Sequence, residues 1–138
     1  MDTRKVTVTD AAAALIEKLI TLHGSLMFHQ SGGCCDGSAP MCYPQGEFQV
    51  GEQDVLLGEI ANCPFYIGRA QYKYWKKTQI IVDAIPGRGA GFSLESPEGM
   101  RFISRSRSFT PDEWEELIRM DSTLADSDEE SIFYGRTP

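Results

Sequence analysis

Histidine, cysteine and aspartate crowd into one stretch, His29-Gln-Ser-Gly-Gly-Cys-Cys-Asp-Gly-Ser-Ala-Pro-Met-Cys, which holds three of the chain's four cysteines. Thiolate and imidazole are donors that zinc and iron accept, so Cys34, Cys35, Cys42, His29 and Asp36 form a candidate metal set. The paired Cys-x-x-Cys knuckles of structural zinc sites are absent. The same sulfurs permit a second chemistry: a disulfide between Cys34 and Cys35, or between either and Cys42, would serve a thiol-redox sensor or reductant. Packing is the competing explanation, because free cysteine behaves as a small buried apolar residue and a histidine on an apolar strand commonly hydrogen-bonds within a core. Cys63 stands alone before Pro64 and is placed outside the cluster as a structural thiol. A hydrolytic nucleophile–base pair has thin support, since the second histidine, His23, closes a helix.

Positioning such a cluster requires a fixed strand end and a shaped loop. Residues 26–29 read as a strand whose period of two puts Met27 and His29 on one face and Leu26 and Phe28 on the other. Gly32, Gly33 and Gly37 let the following loop fold back, and Pro40 and Pro44 stiffen its exit. Before it, residues 6–8 read as an entry strand, and Thr9 or Asp10 caps a helix to His23 that Gly24 stops. Ala12, Leu15, Ile16, Leu19 and Leu22 form the apolar stripe of that helix. After the loop, residues 47–50 and 54–60 read as a hairpin, Asn62-Cys63-Pro64 as a break, 65–67 as a strand, 69–77 as a helix and 79–85 as a central strand. Residues 92–95 and 100–106 read as a second hairpin. Thr110-Pro-Asp-Glu writes a helix start, with Thr110 as cap, Pro111 at the first position and Glu113 completing a capping box; Trp114, Leu117 and Ile118 form the inward face. The fold class expected is mainly β (α+β): an antiparallel sandwich or half-barrel with the first helix packed on it and the last at its rim.

At 138 residues the chain is long enough for one core, so a single globular domain over 1–121 and an acidic mobile tail over 122–138 are expected. A formal net charge of −7 argues against nucleic acid as partner. Tyr72, Tyr74 and Trp75 among Lys73, Lys76 and Lys77 imitate a single-strand-binding surface, but a half-buried aromatic face with wet lysines accounts for them. No leader and no apolar run of membrane length is read, which points to a cytoplasmic protein with reduced thiols and no membrane partner.

Two resemblances extend this reading. His29-Gln-Ser-Gly-Gly-Cys-Cys-Asp-Gly-Ser, Pro40-Met-Cys-Tyr-Pro, Pro64-Phe-Tyr-Ile, the segment 72–75 and Pro86-Gly-Arg-Gly are similar to a small bacterial family, the domain of unknown function 779, often encoded beside aldehyde dehydrogenases. That resemblance implies an accessory protein whose partner is an aldehyde dehydrogenase, and supplies no mechanism; a non-catalytic dehydrogenase-binding protein is one form of it. Val6-Thr-Val-Thr-Asp-Ala-Ala-Ala, the helix, the strand and Ser31-Gly-Gly-Cys also resemble the start of the HesB/IscA-like A-type iron-sulfur carriers. Those carriers bear a Cys-Gly-Cys near the end, where this chain has Arg105, Ser106 and Arg107. Two of three ligands are therefore replaced, and arginines near the loop would lower a cysteine pKa.

Overall fold

The computed structural model describes residues 3–30, 38–46, 50–75, 77–87 and 93–120. The described residues divide into two units, one within residues 4–107 and the other containing Thr3 and residues 108–120.

In the larger unit, β1 (Val6–Val8) leads into α1 (Asp10–His23), then β2 (Leu26–Gln30), β3 (Met41–Pro44), β4 (Asp54–Ile60), β5 (Cys63–Gly68), α2 (Arg69–Trp75), β6 (Thr78–Pro86) and β7 (Met100–Ser108). Thr9 caps α1: its hydroxyl accepts from the Ala12 amide at 3.2 Å, and Gly24, at φ 85°, returns its N–H to Ile20. Ala12, Leu15, Ile16 and Leu19 are buried as the stripe requires. Leu22 is 57% exposed, because 100° per residue carries it to the stripe's edge in the last turn.

The strands form two sheets of order β1-β6-β7 and β3-β2-β5-β4, and among the described residues neither closes into a barrel. The sheets are mixed, which corrects the antiparallel expectation. β1 runs parallel to β6 and β2 parallel to β5, while β3 and β4 flank the second pair antiparallel. Long connections through intervening elements make parallel partners possible, and local patterning does not report them.

Two hairpins differ from expectation. Residues 47–49 lie outside the described residues and Val50 is not in a strand; β4 instead pairs with β5. Ala61 (φ 47°) and Asn62 (φ 67°) supply the two left-handed residues that a tight hairpin turn needs, where the sequence suggested only a break. Pro64 is tolerated inside β5 because the ladder to β2 starts one residue later, at Phe28 and Phe65. Residue 92 lies outside the described residues, and 93–95 form a turn into a 3-10 segment, Ser96–Glu98, so among the described residues β7 has no hairpin partner there. β3 falls in a stretch that read as loop.

The core joins α1 to both sheets. Phe28 stacks on Phe65 at 6.2 Å and meets the edge of Phe102 at 5.1 Å, with Ile16, Leu19, Ile67, Trp75, Ile80 and Val82 around them. β1 approaches β4 so closely that a Cβ on Gly58 would lie 3.2 Å from Val6 Cγ1. In the smaller unit, α3 (Pro111–Met120) opens on the expected capping box: Thr110 N–H donates to Glu113 at 2.9 Å and Glu113 N–H to the Thr110 hydroxyl at 3.1 Å. Leu117 is buried, and Trp114 and Ile118 are half-buried.

Candidate functional site

His29 sits one residue from the end of β2, and the ladder fixes its surroundings. Met41 lies directly across from it on β3 and Tyr66 stands at the same level on β5. Strand alternation puts Met27, His29, Met41, Tyr43, Tyr66 and Asp54 on one face of the four-stranded sheet. Leu26, Phe28, Cys42 and Phe65 occupy the opposite, core-facing side.

Only 4% of His29 is exposed, and its Nε2 lies 2.5 Å from Asp54 Oδ1. A carboxylate only accepts, so Nε2 carries the proton and donates. The other Asp54 oxygen accepts the Gly51 N–H at 2.9 Å. The imidazole first, and the Gly51 amide second, hold the Asp54 carboxyl below its usual range. Turn 51–54 thus fixes the carboxylate, and the carboxylate fixes the ring. Sequence reading missed Asp54 because the two residues are 25 positions apart and meet only through β5, which separates their strands.

Cys42 is fully buried on the core side. Its N–H donates to the Ser93 hydroxyl at 2.9 Å and its carbonyl accepts the Leu94 N–H at 3.1 Å. The Ser93 hydroxyl in turn donates to Glu95, whose second oxygen accepts the Phe102 N–H at 3.3 Å. Burial above all, then the negative charge of Glu95 and the presence of Cys63, push the Cys42 thiol far above its ordinary range. Cys63 is also buried and also pushed up, chiefly by desolvation; its thiol reaches the Ala61 carbonyl at 3.6 Å. Both are free thiols. Cys63 shares Cys42's face, whereas His29 and Cys42 project from opposite faces of the sheet.

Cys34, Cys35 and Asp36 lie outside the described residues. Among the described residues, no three His, Cys, Asp or Glu side chains gather as a metal site. The residues bounding that stretch are tied together: Gln30, fully buried, donates to the Ser38 hydroxyl at 3.3 Å and accepts from the Ser104 hydroxyl at 2.8 Å, while Ser104 N–H donates to the Ser38 carbonyl at 2.7 Å. Gln30 and Ser38 therefore meet in one hydrogen-bonded triangle anchored on β7. Nothing local in the sequence pairs Gln30 with a serine 74 positions away.

The arginines have described partners. Arg105 Nε is 2.9 Å from Asp83 Oδ2 and Arg107 Nε donates to Gln79 at 3.3 Å. Trp75 is 2% exposed and cannot stack on a base, and the Lys5 ammonium lies 5.8 Å over the Tyr72 ring.

A family model, "Domain of unknown function (DUF779)", matches residues 15–108, which include every residue of this arrangement. The chain belongs to the DUF779 family. No curated protein matches it. The DUF779 match ends at β7, just before α3, so it coincides with most of the larger unit.

Proposed function

We propose that this DUF779 protein is a metal-binding accessory protein in which His29, with Cys34, Cys35 and Asp36 of the adjoining segment, supplies the donors. The observation that carries the reading is the 2.5 Å contact between His29 and Asp54. A ligating histidine characteristically gives its second ring N–H to a carboxylate, which sets the tautomer, orients the ring and raises its basicity. Zinc and iron suit a site of thiolate and imidazole. Cys42 takes a structural part here, its backbone joined to Ser93 and Leu94. The A-type carrier resemblance favours metal handling in a HesB-like half-barrel, although Arg105 and Arg107 occupy the lost ligand positions and are engaged with Asp83 and Gln79. Service to an aldehyde dehydrogenase, in the cytoplasm where thiols stay reduced, completes the proposal; no helix among the described residues is long and apolar enough to cross a membrane.

The deciding measurement is metal content and free-thiol count of protein purified without a histidine tag. About one zinc or iron per chain is expected, with Asp54→Asn weakening retention roughly 10- to 100-fold and Cys63→Ser leaving it unchanged. Metal-free protein with every thiol titratable would sink the reading. A disulfide that forms and breaks at cytosolic potentials would select the redox alternative among Cys34, Cys35 and Cys42.

A further inference from the structure

The outer face of the four-stranded sheet holds a hollow of about 240 Å³, lined by Met27 of β2, Gln45 and Gly46 just past β3, Val50, and Pro64 and Tyr66 of β5. Strand alternation puts Met27 and Tyr66 on that face, and Pro64, two residues before Tyr66, joins them. Exposure runs from 3% at Met27 to 45% at Val50, which gives the hollow a floor and a rim. A cavity of about 150 Å³ holds benzene, so this one has room for a single ring with a small substituent, about ten non-hydrogen atoms in all. None of the lining residues carries a charge. An ion set against methionine, valine, proline and a phenol ring gives up hydration that these side chains do not replace, so the occupant that fits is neutral.

Two polar groups narrow its chemistry further. Gln45 is pinned twice, its N–H donating to the Ser25 carbonyl at 2.9 Å and its Nε2 to the Leu26 carbonyl at 3.1 Å. A carbonyl only accepts, so the amide is held in one orientation, and among the described residues its Oε1 receives no donor. The Tyr66 hydroxyl likewise has no partner among the described residues. The walls favour an aromatic ring over an alkyl chain, because thioether sulfur attracts aromatic rings and Tyr66 offers a second ring to pack against. We propose that the hollow is a binding site for a small uncharged phenol, its ring set among Met27, Pro64 and Tyr66 and its hydroxyl donating to Gln45 Oε1. The Tyr66 hydroxyl is placed to donate to the same ligand oxygen. This site is independent of the metal-binding reading and uses no atom of His29. A mere gap in surface packing would hold any small apolar molecule alike, with no preference for a hydroxyl.

The test uses full-length protein carrying [methyl-13C]methionine, titrated with phenol and, in parallel, with fluorobenzene and benzoate. Expected is a ring-current shift of the Met27 methyl that saturates at one phenol per chain, with Met100 and Met120 unmoved. Fluorobenzene, which keeps the ring and lacks the donor, should bind roughly fivefold more weakly, as the loss of one hydrogen bond implies. Benzoate should leave the Met27 methyl in place. Val50→Phe, a change at an exposed rim position outside any strand, should abolish the saturable shift and keep the melting temperature within a few degrees. If Val50→Phe fails to fold, the wild-type comparison of the three probes decides. A Met27 methyl that stays unmoved or drifts without saturating overturns the proposal, and so does fluorobenzene or benzoate binding as tightly as phenol.

Discussion

Asp83 is the residue on which three elements meet. It accepts the Thr9 hydroxyl at 2.7 Å, Arg105 Nε at 2.9 Å and the Ala84 N–H at 2.9 Å, tying the start of α1 to β6 and β7. The Thr9 hydrogen bond and then the Arg105 contact hold its carboxyl below the ordinary range. A folded-state pKa below the unfolded value gives stability that is complete above the unfolded carboxylate pKa of about 3.9 and is lost as pH falls through the folded value. The stability difference between wild type and Asp83→Asn should therefore be constant near neutrality and shrink below about pH 4, measured by urea unfolding across pH. A difference that grows on acidification would refute this. Glu95 poses a different problem, being 1% exposed and bonded to both Ser93 and Phe102. Glu95→Ala leaves two buried donors without acceptors and should cost about 2–6 kcal/mol, at about 1–3 kcal/mol each.

Helix α1 offers a contrast within one element. Leu19 is fully buried and Leu22 is 57% exposed, although both read as one stripe. Leu19→Ala should destabilise by about 2–5 kcal/mol and Leu22→Ala by less than about 0.5 kcal/mol, compared by denaturant midpoints at constant m-value. Equal effects would mean that Leu22 is covered in solution. For α3, the reciprocal bonds between Thr110 and Glu113 place the helix start under local control. Thr110→Ala should cost about 1 kcal/mol of local stability, visible as faster amide exchange in the first turn of that helix.

For the whole molecule, burial of Cys42 and Cys63 in the core makes their chemistry a report on global opening. Neither thiol is exposed and both are pushed up from their usual pKa, so alkylation at neutral pH requires unfolding. Their labelling rates should rise together as global stability falls, as in Leu19→Ala. Ser104→Ala removes the hydroxyl that holds Gln30, at a cost of about 1 kcal/mol, and should speed labelling of Cys34 and Cys35 more than that of Cys42 and Cys63. Rapid native-state labelling of Cys42 would contradict the buried position of β3.

By itself the sequence determined what depends on neighbours a few residues apart. The capped helix from Thr9 to Gly24, the capping box at Thr110, the central strand β6, and the alternation placing Met27 with His29 against Leu26 with Phe28 all follow from backbone periodicity and local hydrogen bonds. Tertiary structure decided what depends on pairing. Whether β2 would lie parallel to β5 turns on a register between residues 37 positions apart, and whether Cys42 would rise on His29's face or the opposite one turns on the pairing of Cys42 with Phe28 rather than with His29. A cysteine thirteen residues after His29 is near in sequence, yet one step of ladder register sends its thiol into the core. The carboxylate that orients the histidine comes instead from β4, because two intervening pairings bring Asp54 within 2.5 Å.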